Sequence, residues 1–315
     1  QFEAQSSSTW PLAFPQTTFT NTCRFNQPSS DYLNRTHGSS PTSRQKWTFS
    51  TWIKRGKLSA TSDVQKLFST AYVSLQEAYL YFDGSNRLNF GQYESGGAGN
   101  NFAKITNRRF RDSNAYYHIQ MTWDTTQSTA SDRIKFYVNG QQETSFATDT
   151  APSLNYNGVM NTNVAHYIGS NSGASQFFDG YLAETIFVDG QGLSPTSFGA
   201  TNPITNIWEP IAYKGTYGTN GFKLNYSDSS ALGDDTSGNG NDWTVNNLTS
   251  IDQSTDTPSN NFAVLNPLVT LSGGTLSEAN LKYNYGSNGW RSSFSTIGAN
   301  KGKWYCEAKF DSGTH

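Results

Sequence analysis

Charge is what this 315-residue chain has least of. Asp, Glu, Lys and Arg make up 15% of it, against roughly a quarter of an ordinary soluble domain. The net charge is −2 and the isoelectric point near 6.1, which gives no general attraction for nucleic acid or for an anionic membrane. Cysteine is scarce as well. Cys23 and Cys306 cannot build a metal site unaided, and the expectation is two buried, unpaired thiols. No apolar run approaches 18 residues, so no membrane insertion by a helix is expected. The chain opens on Gln1 with no signal-peptide pattern, so a processed start or a preceding segment is expected.

What is present points one way. Ser, Thr and Asn number 104 of 315 residues, aromatics reach 14%, and there are 28 glycines. A disordered chain needs few aromatics and a high net charge, and this one has neither. Short runs with strand-like alternation recur between Gly, Asn, Asp and Ser turns. Lys46 to Ile53 puts Trp47, Phe49, Thr51 and Ile53 on one face, leaving Trp52 on the other. Tyr117 to Trp123 and Arg133 to Val138 alternate similarly. Val138 runs into Asn139-Gly140, the pair that a type I′ hairpin turn favours because both central residues need positive φ. Helix is expected only as a turn or two, best placed at 194–200. The class is all-β, a two-sheet antiparallel sandwich with Trp47, Phe49, Trp52, Tyr117, Trp123, Phe136, Ile168 and Phe187 mostly buried.

Three regions follow. Residues 1–20 read as an extended arm whose Trp10 and Phe14, with Phe19, dock on a partner, or else as a plain leader. Residues 21–250 form the sandwich. Residues 251–315 hold a linker and a new apolar pattern ending on a strand from Lys303 to Phe310, too few strands for a core of their own.

Four stretches resemble the laminin-G-like, concanavalin A-like lectin/glucanase group: KWTFSTWIKRG (46–56), YYHIQMTWD with RIKFYVNGQQ (116–142), HYIGSNSG with FFDGYLAETIFVDGQGLS (166–194), and DDTSGNGND (234–242). In the third, Phe178, Gly180, Leu182, Glu184 and Leu193 fall at the spacing of that group. The resemblance implies a jelly-roll sandwich. Residues 260–310, with Gly302, Lys303, Trp304, Tyr305 and Glu307, resemble the opening of a SPRY-type module, the beginning of a second β-sandwich. The two together resemble structural proteins of marine bacteriophages: fibre, tail or capsid appendages at the particle surface. That implies other virion proteins as partners, a homotrimer as the first oligomer to test, an N-terminal attachment with the C-terminal part pointing away, and contact with host-surface glycan. A polysaccharide-binding lectin or a glycoside hydrolase is the alternative within the same fold.

The chemistry-bearing residues weigh against hydrolysis. Retaining glycosidases hold two carboxyls about 5–5.5 Å apart, and no E-x-D-x-E string supplies acids at alternate strand positions. Glu184 reads as structural, at a strand end, so the chain is expected not to be an enzyme. His118 and His166 read as structural. For glycan contact, Tyr93, Tyr156 and Trp243 qualify by residue type. Lys104, Arg108, Arg109 and Arg111 could grip a sulfated glycan, or form a solvated strand edge. The resemblance implies calcium as the usual cofactor, and Asp234, Asp235, Asn239, Asn241 and Asp242 supply oxygens for it; a plain Asx-turn loop is the other reading.

Overall fold

The computed structural model describes residues 17–59, 63–74, 76–94, 100–269, 274–285 and 291–310. Two eight-stranded antiparallel sheets pack face to face. The first holds β1 (Thr22–Phe25), β3 (Lys46–Arg55), β8 (Tyr117–Asp124), β9 (Ile134–Val138), β10 (Gln141–Gln142), β13 (Gly180–Asp189), β16 (Phe222–Leu224) and β18 (Gln253–Ser254). Its order is β10-β9-β8-β3-β13-β1-β18, with β16 also paired to β13. The second holds β2 (Tyr32–Thr36), β4 (Gln65–Thr70), β5 (Gln76–Phe82), β6 (Arg87–Glu94), β7 (Asn100–Arg109), β11 (Phe146–Asp149), β12 (Ala165–Ile168) and β17 (Thr244–Asn246). Its order is β11-β7-β6-β5-β4-β12-β2-β17. Two hairpins lie outside: β14 (Gly199–Thr201) with β15 (Trp208–Pro210), and β19 (Thr275–Ser277) with β20 (Lys282–Asn284). Helical structure among the described residues is four 3-10 turns, one at Pro195–Ser197. None is long and apolar enough to cross a membrane.

The alternation in β3 does what its period of two requires. Trp47, Phe49 and Ile53 enter the core between the sheets, while Trp52 faces outward into a separate cluster. Trp47 stacks on Trp123 at 5.7 Å, and Phe49 on Phe68 at 5.0 Å. Fully burying each such ring is worth about 2–3 kcal/mol. Tyr117 is only half-buried and packs at the core's edge. The Asn139-Gly140 turn joins β9 to β10 with φ of 48° and 77°, as a type I′ turn demands.

The outer face of the first sheet is roofed. Trp208 from β15 stacks over His118 and donates from Nε1 to its Nδ1 at 3.0 Å. Gly199 permits that approach, since a Cβ there would sit 2.4 Å from the indole. Next to them Lys54, fully buried, ties down the segment that follows β18: Nζ meets Asp256 Oδ2 at 2.7 Å, Asn261 Oδ1 at 2.7 Å and the Phe262 carbonyl at 2.6 Å. Phe198 covers Ile186 and Val188, with Tyr213 and Tyr217 packed around them.

Several expectations are corrected. Trp10 and Phe14 lie outside the described residues, but Phe19 packs on this chain's own Trp52 at 6.2 Å, and the Thr17 N–H bonds the Pro210 carbonyl. The end of the arm therefore belongs to the roof. Thr17 and Asn261 both bond to that side, and the chain stays on the sandwich beyond Asn261, with Glu278 paired to Arg24 at 3.1 Å and the Asn280 amide donating to the Gly56 carbonyl at 2.8 Å. Lys303 to Phe310 forms no strand; Trp304, Tyr305 and Phe310 are exposed. Cys306 is accordingly exposed, and only Cys23 is a buried free thiol.

Candidate functional site

Among the described residues, no such roof covers the middle strands of the second sheet's outer face. In β5, Ala78, Leu80 and Phe82 point into the core, so Glu77, Tyr79 and Tyr81 point outward. In β6, Leu88 and Phe90 point inward, leaving Asn89, Gly91 and Tyr93 on the same outer face. Register places Tyr81 opposite Asn89, Tyr79 opposite Gly91 and Glu77 opposite Tyr93. Gly91 in turn faces Ala103 on β7. The result is a shallow trough: small residues form its floor, tyrosines one wall, and the Glu77 carboxylate one end, while Asn89 is buried with its amide donating to the Arg87 carbonyl. Tyr79 and Tyr81 meet edge to face at 5.4 Å, and the exposed Tyr72 lies 6.3 Å from Tyr93. Across β4, Tyr167 and Tyr32 continue the aromatic surface, 6.2 Å apart.

Lys66 on β4 completes this face. Its register partner is Tyr81, and its Nζ lies 3.5 Å from the Tyr79 ring centre and 4.3 Å from that of Tyr81. Burial pushes the ammonium pKa down to about 7, and the negative charge of Glu77 pulls it partly back. Burial likewise pushes the Tyr79 hydroxyl up to about 12. Sequence reading missed all four residues, Lys66, Glu77, Tyr79 and Tyr81. Glu77, Tyr79 and Tyr81 were findable from the alternation in QEAYLYF; Lys66 was not, because a register shift follows it between Lys66 and Phe68.

The residues singled out from sequence are not gathered in one place. Tyr93 lies on the open face. Tyr156 is half-buried at the core's edge, its ring against Phe102 and Trp123. Its hydroxyl accepts from Gln92 and donates to Glu94 Oε1 at 3.1 Å. Trp243 is 3% exposed and packs on Phe68 and Phe222, so it is a core residue and offers no surface for stacking. The basic group is divided too. Lys104 pairs with Asp149 at 2.6 Å and Arg108 with Glu143 at 2.5 Å, while Arg109 and Arg111 are exposed at the end of β7 and just beyond it.

Glu184 sits mid-strand, not at a strand end. It occupies the irregularity in β13 between Ala183 and Ile186, with φ of 43°. It is ion-paired to Lys223 at 2.9 Å, and burial raises its pKa despite that lysine. His118, fully buried, is pushed down to about 3 by burial alone. Since its Nδ1 accepts from Trp208, its Nε2–H is the donor to Ser50 Oγ at 2.9 Å. Among the described residues no three His, Cys, Asp or Glu side chains gather as a metal site would require.

A second concavity of about 570 Å³ opens beside the roof, lined by Trp52, Tyr116, Asn139, Trp208, Pro258 and Asn261, among others. Its tryptophans are engaged from both sides by Phe19, His118 and glycine backbone.

The sequence over residues 27–192, just over half of the chain, matches the family described as the concanavalin A-like lectin/glucanases superfamily. The chain belongs to that superfamily. No curated protein matches the sequence. Solved structures with a similar fold include a candidate carbohydrate binding protein from Bacteroides ovatus, at 16% identity and a TM-score of 0.48, over 73% of this chain and 59% of that one. The heptameric SAP-like pentraxin of Limulus polyphemus aligns at 16% identity and a TM-score of 0.38, over 56% of this chain and 78% of that one. Domains LG4-5 of the mouse laminin alpha1 chain align at 13% identity and a TM-score of 0.37, over 67% and 50%. At these levels the likeness is one of fold.

The superfamily's association with calcium meets a poor donor set here. Asp235 Oδ1 accepts the Lys223 and Ser237 N–H groups, and Oδ2 accepts the Asn241 N–H and the Ser237 hydroxyl. Asp242 Oδ1 accepts the Asp235 N–H, and the Asn239 and Asn241 amides donate to backbone carbonyls of the 218–221 segment. Arg35 adds a positive charge 2.5 Å from Asn241 Oδ1. Asp234 is exposed beside this knot. A hard cation wants several free anionic oxygens, and this string, as folded, does not fit one.

Proposed function

We propose that this chain is a non-catalytic, adhesive structural protein of a virus particle that contacts host-surface glycan through the open face of its second sheet. The trough formed by Tyr79, Tyr81 and Tyr93 around Gly91 and Ala103 carries this reading. Sugars present flat C–H faces and rings of hydroxyls. Tyrosine offers an amphipathic plane at small entropic cost, and Glu77 provides a polar partner at one end. The membership in the lectin/glucanase superfamily supports the glycan part. The particle setting is supported by the sequence resemblance of residues 46–310 to phage appendage proteins, and a homotrimer displaying three such faces belongs to the same proposal.

The non-catalytic part is supported by Glu184. Its carboxylate is held by Lys223 under the 213–217 loop, on the far side of the sandwich from the trough. The test is direct: titration of the full chain with host-type oligosaccharides should show saturable binding without release of reducing ends. Tyr79→Ala and Tyr81→Ala should each weaken it about two- to tenfold. Undiminished binding by both variants would remove the trough from the reading. Immunogold labelling of purified particles tests the virion assignment.

A further inference from the structure

Buried lysines in this protein have counter-charges, with one exception. Lys54 meets Asp256 at 2.7 Å, and Lys104 meets Asp149 at 2.6 Å. That follows the general rule that a charge leaves water only when paired. Lys66 is 5% exposed, yet among the described residues its ammonium has two aromatic faces for partners and makes no ion pair. Cation–π attraction offsets part of the desolvation cost, and no anion supplies the rest. The charged groups around it are few. Glu77 shares its face from β5, and Asp83 and Arg87 at the far end of β5 and β6 neutralise each other at 2.7 Å. Lys57 and Asp63, just before β4, do the same at 2.7 Å. β12 contributes Tyr167 beyond Ser69.

We propose that the ligand supplies the missing counter-charge: the trough binds an acidic sugar, with its anionic group on Lys66 Nζ and its ring against Tyr79 or Tyr81. This rests on the reading of the trough as a glycan surface and adds the ligand's class to it. The positions agree with the chemistry. Lys66 lies across both tyrosines from the β4 side, and Gly91 and Ala103 leave room on the other side for a ring to lie flat. Because burial lowers the ammonium pKa to about 7, the charge is present in mildly acidic solution and fades as pH rises. A bound anion pulls the value back up, so binding and protonation reinforce each other.

The experiment titrates the full chain with three probes: trigalacturonate, a sulfated galactose oligomer and neutral galactotriose. At pH 6 one or both acidic probes should bind about tenfold tighter than the neutral one, the size of one charge-assisted hydrogen bond. Which acidic probe wins identifies carboxylate or sulfate as the source of the charge. Lys66→Met should abolish the preference without lowering the melting temperature, and Lys66→Arg should retain it. The preference should shrink from pH 6 to pH 8.5 in the wild type. Equal binding of acidic and neutral probes, or a Lys66→Met variant that still prefers acid, would overturn the proposal and leave the glycan reading standing. Binding of all probes by Tyr79→Ala and Tyr81→Ala at wild-type strength would overturn the glycan reading instead, and no binding of any probe would overturn both.

Discussion

The two sheets of this sandwich each turn aromatic residues and a buried lysine outward, and they do opposite things with them. On the first sheet, Trp52, Tyr116 and Tyr181 are covered by Phe19 and Trp208, while Lys54 is locked to Asp256. On the second, Tyr79, Tyr81 and Tyr93 remain half-exposed, and Lys66 rests on rings alone. Outward aromatics are therefore not one category. Where the same chain folds back over them they are a second core, and where no described segment returns they stay at the surface.

The sharpest way to break this contrast is to unpair Lys54. Asp256→Ala leaves a fully buried ammonium with neutral partners only, and should cost about 3–5 kcal/mol in urea unfolding. Lys66→Met, which removes a charge that had no partner, should cost nothing or stabilise. If the two variants prove equally damaging, the faces do not differ as described.

A smaller effect is expected at Trp208. Gly199→Ala places a methyl inside the indole's space and should cost about 1–3 kcal/mol as overpacking, with a change in tryptophan fluorescence as the ring is displaced. No such change should accompany Tyr79→Ala.

The pH dependence separates the faces as well. The His118 pKa falls from 6.5 to about 3 on folding, so the unfolded chain binds the extra proton first. Stability from this group is complete above pH 6.5 and is lost on acidification towards pH 3, by up to about 1.4 kcal/mol per pH unit. Protonation of Nδ1 would also break the bond from Trp208. Lys66 shifts the same way in a different window, from 10.5 to about 7, so its burial favours folding more as pH climbs between those values. Acid melts followed by tryptophan emission should report the roof, and the alkaline limb should flatten in Lys66→Met. Smallest of all, Arg111→Ala at the exposed end of the basic group should stay within about 0.5 kcal/mol of wild type.

Much of this was legible in the residues. The period of two in Lys46 to Ile53 correctly divided Trp47 and Phe49 from Trp52, because strand geometry allows no other division without a bulge. Asn139-Gly140 announced its hairpin because few residue pairs accept two positive φ values. The roof was not legible. Trp208 and His118 meet across 90 positions of sequence, and nothing local at either residue records the other. Trp243 follows a turn-dense string and reads as a loop aromatic, yet the chain swings it into the core against Phe222. Cys306 and Trp304 sit in a run with strand-like composition that forms no strand, since strand formation needs a neighbour as well as propensity. Lys66 was hidden for a subtler reason: the irregularity after it puts Leu67 and Phe68 both inward, which breaks the alternation that would have placed it.

The positions of Thr17 and Asn261 set a direction. Both are bonded to the roofed side, one at Pro210 and the other at Lys54. A tether that reached the module through the segment before Thr17 would meet it on its roofed back, and the tyrosine trough would then look away from that mooring. Copies mounted in this way on a common support would point their troughs in parallel. A weak hold on each sugar could then sum to a durable grip, with release requiring several contacts to open together.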